Sequence, residues 1–270
     1  MVDEYRVVEA LEGMKTLEDG SVDLIVTDPP YDTLEKWRAI GTTTRLKKSK
    51  SSSNRWFPVV PPTYFVDFFK ECYRVLKKNT NLFVFCDDDT KYNIDPLIRD
   101  AGFTRRKSLI WEKVGKTEHV HCPRCGTPVC TQVKPGSPGM GTPFRSCYEA
   151  IYFAQKGKRK PPQDRGVHDV LKHPILKGND RWPTEKPVEL LQVLIKQSSH
   201  EGDLVLDPFA GSGSTLVAAF LLKRHFLGFD IQEDAQRYFR DRWEHILGNL
   251  VVDIPKDPDT SDIFDLFSTD

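Results

Sequence analysis

Leu204-Val205-Leu206-Asp207-Pro208-Phe209-Ala210-Gly211-Ser212-Gly213-Ser214-Thr215 is the stretch on which the fold turns. Its three leading apolar residues read as a buried strand. Gly211 and Gly213 permit positive φ and let backbone pass close to a ligand. A helix is expected over 214–223, so the stretch reads as strand, glycine turn, helix. The next strand is expected over 225–229 and ends at Asp230, where a carboxylate can accept hydrogen bonds from two ribose hydroxyls. A plain tight turn would use the same glycines. A nicotinamide-binding turn would want a third small residue where Leu216 stands.

The same alternation continues outward from this turn. Val22–Thr27 reads as a buried strand. Residues 63–77 form an amphipathic pattern, with Phe65, Phe68, Phe69, Cys72 and Leu76 at helical spacing. Strands are expected over 81–86, 103–111 and 148–154. Helices are expected over 90–101, stopped by Gly102, and over 186–199 and 233–247. Residues 33–62, 115–147 and 155–184 carry no regular period and read as loops. Strands alternating with helices predict an α/β fold with a doubly wound, mostly parallel sheet.

In such a sheet, ligands gather at the carboxyl ends of the strands. Directly after the strand Val22–Thr27 stands Asp28-Pro29-Pro30-Tyr31. Each proline fixes φ and removes an N–H donor, so acceptors dominate the loop. An acceptor cluster suits a substrate that presents an amino group. Tyr31 adds a flat ring on which a base can stack. A proline turn with a capping Asp is the plainer reading of the same residues.

The two motifs together resemble the amino-methyltransferases of DNA, whose hallmarks are Asp-Pro-Pro-Tyr and a Phe-x-Gly-x-Gly turn. The resemblance extends over 17–31 (LEDGSVDLIVTDPPY), Arg74-Val75-Leu76-Lys77, Trp182-Pro183-Thr184-Glu185-Lys186-Pro187, the glycine turn, and 226–231 (FLGFDI). The catalytic loop precedes the glycine turn, the permuted order of the β class. The fold this implies is the Rossmann-like sheet of S-adenosylmethionine-dependent methyltransferases, carrying an inserted recognition and zinc-like segment. It implies one methyltransferase domain over about 1–250. The catalytic half would span about 1–111, the recognition segment about 112–182 and the cofactor half about 183–250, with an acidic tail at 251–270.

The resemblance also implies roles. Asp28, Pro29, Pro30 and Tyr31 would hold the exocyclic amine of a base flipped out of the duplex. Asp207, Phe209, Gly211 and Gly213 would surround the methionine part of S-adenosylmethionine, and Asp230 its ribose, with Thr184 and Lys186 lining the same site. Lys186-Pro187 also fits a simple helix start. Glu149 aligns with a recurrent glutamate of the family, although Tyr148 stands where a His is expected. The expected reaction is site-specific methylation of adenine N6 in double-stranded DNA. Cytosine N4, RNA, and a catalytically inactive nucleic-acid-binding subunit are the alternatives. Enzymes of the cytosine-N4 type more often carry Ser in place of Asp28.

Composition bounds partners and location. Of 270 residues, 39% are hydrophobic and 29% charged, as in an ordinary globular chain. No apolar run approaches membrane-spanning length and no secretory start is seen, so a membrane is excluded and an intracellular, cytoplasmic location expected. Net charge is zero, yet 251–270 carries −5 and the rest +5, which permits a polyanionic partner. Arg45, Lys47, Lys48, Arg55 and Trp56 in one loop, and Lys158 and Arg159 in another, are candidate DNA contacts. A solvated surface would also look like this.

Six cysteines are present. Cys72 and Cys86 sit in apolar runs and read as core residues. Cys122-x-x-Cys125, followed by Gly126, resembles a zinc knuckle. Cys130 and one of His119, His121 or Cys147 would complete it, with His121 the leading choice. The alternative is a reduced, exposed cysteine loop. The tail ends in Ile263-Phe264-Asp265-Leu266-Phe267. It reads either as a segment folding back on the core or as a docking peptide resembling those that bind replication clamps. A homodimer is a further expected assembly.

Overall fold

A computed structural model describes residues 3–30, 63–121, 125, 128–135, 146–158, 161–176, 181–182 and 184–252. The side chains of 116–121, 128–135 and 249–252 lie outside that description. Among the described residues nine strands form one sheet: β1 Glu4–Val7, β2 Val22–Thr27, β3 Leu76–Cys86, β4 Thr104–His121, β5 Pro128–Pro135, β6 Tyr148–Lys156, β7 Val170–Pro174, β8 Leu204–Asp207 and β9 His225–Asp230. Their order is β1-β9-β8-β2-β3-β6-β4-β5, with β7 paired to β4. From β1 through β3 every pairing is parallel. Beyond β3, strand β6 runs antiparallel to both its neighbours.

The helices are α1 Ala10–Lys15, α2 Tyr64–Val75, α3 Asp88–Asp100, α4 Val188–Ser198, α5 Ser214–Leu221 and α6 Glu233–Val252. A parallel strand covered on both faces must be apolar on both, and Leu24, Ile25 and Val26 of β2 are all fully buried. One face packs against α1, α2 and α3 through residues such as Met14, Phe68, Phe69 and Ile98. The other packs against α4, α5 and α6 through Leu191, Val217 and Phe239. The expected stripe of α2 is the buried one: Phe65, Phe68, Phe69 and Cys72 all face inward. Cys86 is buried as well.

The order of the strands places the functional end. From the adjacent pair β8 and β2, the chain winds one way to β9 and the other way to β3. A crevice opens at such a reversal, outside the carboxyl ends of the two strands. Asp207 closes β8 and Asp28 follows β2, so both motifs stand at the carboxyl ends of the two strands at that reversal.

Several expected boundaries need correction. Residues 115–147 are not wholly irregular, because β4 runs on to His121 and pairs antiparallel with β5. This hairpin sets Glu118 against Gln132 and His119 against Thr131, so no apolar period marks it. Strand β7 interrupts the expected loop over 155–184. It carries a single buried residue, Leu171, between exposed Val170 and Lys172. The strand expected over 103–111 is the first half of β4, and the last helix continues past Leu247 to Val252. Strand β1 and helix α1 are additional to the elements expected from the sequence. The tail from 253, the basic loop at 31–62, and with them Tyr31, Arg45, Lys47, Lys48, Arg55 and Trp56, lie outside the described residues.

Candidate active site

The glycine turn is built by two left-handed residues. Gly211 has φ +48° and Gly213 φ +72°. A Cβ on Gly213 would sit 2.1 Å from Cδ2 of Phe239, so only hydrogen fits there. Gly211 is different. The nearest atom to a Cβ there would be Trp182 Nε1 at 3.6 Å, an ordinary van der Waals contact. Tyr5 steadies the turn by donating its hydroxyl to the Gly211 carbonyl at 2.9 Å. Its ring stacks on Phe239, 5.2 Å between centroids.

Two carboxylates flank the turn. Asp230 accepts from the amides of Gly211 at 3.0 Å and Gln232 at 2.9 Å. Burial nonetheless raises its pKa above the ordinary carboxylate value, with those amides opposing the rise. Asp207 is buried and accepts from the Phe209 amide at 3.1 Å. Burial pushes its pKa up to about 7, although the neighbouring Thr215 hydroxyl and the Phe209 amide pull it back. Phe209 is partly buried, with its ring 5.3 Å from Phe68 and 6.5 Å from Tyr64. Tyr64 in turn donates to Glu9 Oε1. Neither Tyr64 nor Glu9 carries a motif that would have marked it in the sequence.

Asp28 lies beyond the last paired residue of β2, Thr27, which is opposite Val84 of β3. Its side chain keeps 30% of its surface exposed. Lys186, 8% exposed, donates through Nζ to Asp28 Oδ2. The same Nζ lies 3.2 Å from Glu149 Oε1. Glu149 sits one residue into β6, and because β6 is antiparallel its amino end joins the carboxyl ends of the parallel strands. Lys113 of β4 completes the line, 3.1 Å from Glu149 Oε2. Burial raises the pKa of Asp28 while Lys186 opposes the rise. Burial would raise Glu149 too, but Lys186 and Lys113 together hold it below its ordinary value.

The segment before α4 is pinned from its other side. Glu185 accepts from the Tyr238 hydroxyl at 2.9 Å and pairs with Arg242 at 3.0 Å. Arg242 also donates to Ser214 Oγ at 2.9 Å, at the first residue of α5. Between these contacts Thr184 takes φ +62°, a costly conformation for a residue with a branched Cβ that a well-determined surrounding must impose. Thr184 and Lys186 were both expected beside the cofactor. The structure brings the Lys186 ammonium to Asp28, and exposed Thr184 stands at the turn before it.

Lys158 is exposed and its amide donates to Asn79 Oδ1 at 2.7 Å. Arg159 and Cys122 lie outside the described residues, as do the side chains of His121 and Cys130. Cys125 is exposed. Among the described residues no group of three or more His, Cys, Asp or Glu is arranged to hold a metal, and no helix is long and apolar enough to cross a membrane.

This arrangement has known counterparts. The profile of the N6_N4_Mtase family, described as a DNA methylase, matches residues 22–241. The chain belongs to that family. Type II methyltransferase M.HpaI of Haemophilus parainfluenzae is 29% identical over 243 residues, 86% of this chain and 71% of the relative. DNA adenine methyltransferase YhdJ of Escherichia coli K12 is 28% identical over 240 residues, 84% of this chain and 77% of the relative. The crystal structure of the M1.HpyAVI–SAM complex, 21% identical, covers 90% of this chain and 100% of its own, with a TM-score of 0.58. That likeness is one of fold.

Proposed function

We propose that this chain transfers a methyl group from S-adenosylmethionine to the exocyclic N6 of an adenine flipped out of double-stranded DNA. One observation carries the reading: Asp28 and the Asp207 turn stand at the ends of the hydrogen-bonded strands β2 and β8, so an amine acceptor loop and a cofactor turn face one crevice. The left-handed Gly211 turn and the Asp230 carboxylate fit a nucleoside with a thioether-linked tail. That group supplies an electrophilic methyl on a sulfonium.

The chain's own task is positioning. The lone pair of an adenine amine is delocalised into the ring. Asp28 and the Pro29 carbonyl would accept its two hydrogens and direct the lone pair at the methyl carbon. Asp28 would then take the N–H proton that the amine loses as its nitrogen gains the methyl group. Fixed dipoles and geometry supply most of the acceleration in such a transfer. Adenine is favoured over cytosine by Asp28, and YhdJ, a relative named for adenine, supports the same choice. Tyr31 would stack on the base, and the basic residues around 45–56 and 158–159 would take phosphates.

The deciding experiment is methyl transfer from labelled cofactor to duplex DNA, followed by nucleoside analysis. Labelled N6-methyladenine supports the reading. Labelled N4-methylcytosine replaces adenine with cytosine, and product on RNA alone overturns the choice of DNA. A structural zinc at the tip of the β4–β5 hairpin belongs to the same proposal. Its register sets Val120 opposite Cys130 and His121 opposite Pro128, the strand ends that flank 122–127 in the sequence. Metal analysis of the purified protein would find about one zinc per chain, the load of a four-ligand knuckle. Metal-free protein from zinc-supplemented cells overturns it.

A further inference from the structure

Four charges of alternating sign run in one line across the sheet: Lys113, Glu149, Lys186 and Asp28. They come from four separate elements, namely β4, β6, the segment before α4, and the end of β2. Aromatic faces close around them. The Phe85 ring lies 5.1 Å and the Trp111 ring 6.0 Å from Lys186 Nζ, and Trp111 also lies 5.0 Å from Lys113 Nζ. A lysine so enclosed has little water to solvate it, so its charge acts on its two carboxylate partners with little screening.

We propose that Lys186 is a positioning residue that keeps Asp28 ionised, and that Glu149 and Lys113 set how much of the Lys186 charge Asp28 receives. The proposal rests on the methyl-transfer reading for its purpose. An ionised Asp28 offers lone pairs for the amine hydrogens and can take the departing proton. A protonated Asp28 would present a donor to a group that itself donates. Crowding of Asp28 pushes it toward the protonated form, so it needs a cation within hydrogen-bond reach. Glu149 competes for that cation, and Lys113 offsets Glu149. Among the described residues, Asp207 at the end of β8 and Cys86 at the end of β3 also face the line; burial raises both, and the Cys86 thiol stays neutral.

A merely structural ion pair and this arrangement predict different responses. Asp28 ionisation is followed by carboxyl 13C NMR in the unliganded full-length protein, with Asp28→Asn assigning the resonance. Lys186→Met should raise the Asp28 midpoint by roughly 1–3 pH units, as expected for loss of an opposite charge in contact. Glu149→Gln, which leaves Lys186 to Asp28 alone, should lower it. The acid limb of the kcat profile should move in the same two directions. Midpoints that do not move, or that move the same way in both variants, overturn the proposal. If Lys186→Met fails to fold, the near-isosteric Glu149→Gln decides alone: a lower midpoint supports the proposal, and an unchanged or higher one overturns it. Failure of the wild-type protein to methylate DNA is a separate result. It removes the proposed function and leaves the NMR midpoints to be read as they stand.

Discussion

The Gly211 amide donates to Oδ2 of Asp230 at 3.0 Å, so the glycine turn after β8 is tied to the end of β9. The carboxylate shapes the turn and still has lone pairs for hydroxyl donors. Asp230→Ala should therefore weaken S-adenosylmethionine binding. Hydrogen bonds to a charged acceptor are worth about 1.5–3 kcal/mol, roughly 10- to 150-fold in Kd. Isothermal calorimetry checks this, and unchanged affinity would remove Asp230 from the ribose role.

Gly213 and Gly202 separate steric from conformational cost. Both have positive φ, +72° and +83°. A Cβ at Gly202 meets nothing within 4 Å, whereas one at Gly213 runs into Phe239. Gly202→Ala should cost only the left-handed conformation, about 1–2 kcal/mol. Gly213→Ala adds overpacking, typically about 1–3 kcal/mol. Urea denaturation of the two variants should rank Gly213→Ala clearly lower. Equal losses would show that Phe239 gives way.

Asp207 gives a pH dependence whose sign follows from burial. Its native pKa, pushed up to about 7, lies above the ordinary carboxylate value of 3.8. Between these values the folded state binds the proton more tightly than the unfolded chain. The Asp207 contribution to stability therefore falls as pH rises from about 4 to about 7, then levels off. Asp207→Asn keeps an oxygen for the Phe209 amide and removes this slope. Its melting temperature relative to wild type should rise across that window. A difference independent of pH would place Asp207 near its ordinary pKa.

How much of this was legible in the sequence depends on which force shapes each element. The central parallel strands and their helices announce themselves because burial on both faces writes apolar runs and helical stripes, as in Val22–Thr27 and Phe65, Phe68, Phe69 and Cys72. The two motifs at the switch point were legible because positive φ and close approach demand glycine, and because an Asp held between a strand and two prolines has few dull explanations. The β4–β5 hairpin and β7 stayed hidden, since one alternates polar with polar and the other buries one residue. The charge line was hidden for another reason. Lys113, Glu149 and Lys186 become neighbours only because β6 reverses direction, and Lys186 reads in sequence as a helix start or a cofactor contact. Nothing local marks Arg242 or Tyr238 as partners of Glu185.

That last cluster supports a final prediction. Glu185 has 2% of its side chain exposed and Arg242 19%. Arg242 spans from Glu185 to Ser214, so it joins the segment before α4 to the start of α5 and to its own helix α6. Burial lowers the Arg242 pKa and Glu185 opposes the fall, which makes Glu185 its main compensation. Removing one partner of a buried pair costs roughly 3–5 kcal/mol, and the residual exposure of Arg242 argues for the lower end. At about 2–4 °C per kcal/mol for a domain of this size, Glu185→Ala should lower Tm by roughly 6–12 °C. Removing the stranded charge as well should restore part of the loss, so Glu185→Ala/Arg242→Leu should melt above the single variant. Losses that simply add in the double variant would show that the two residues do not depend on each other. Because Glu185 precedes Lys186 directly, the single variant should also release the Lys186–Asp28 contact. Glu185→Gln, which keeps acceptors for Tyr238 and Arg242 but not the charge, should fall between wild type and Glu185→Ala.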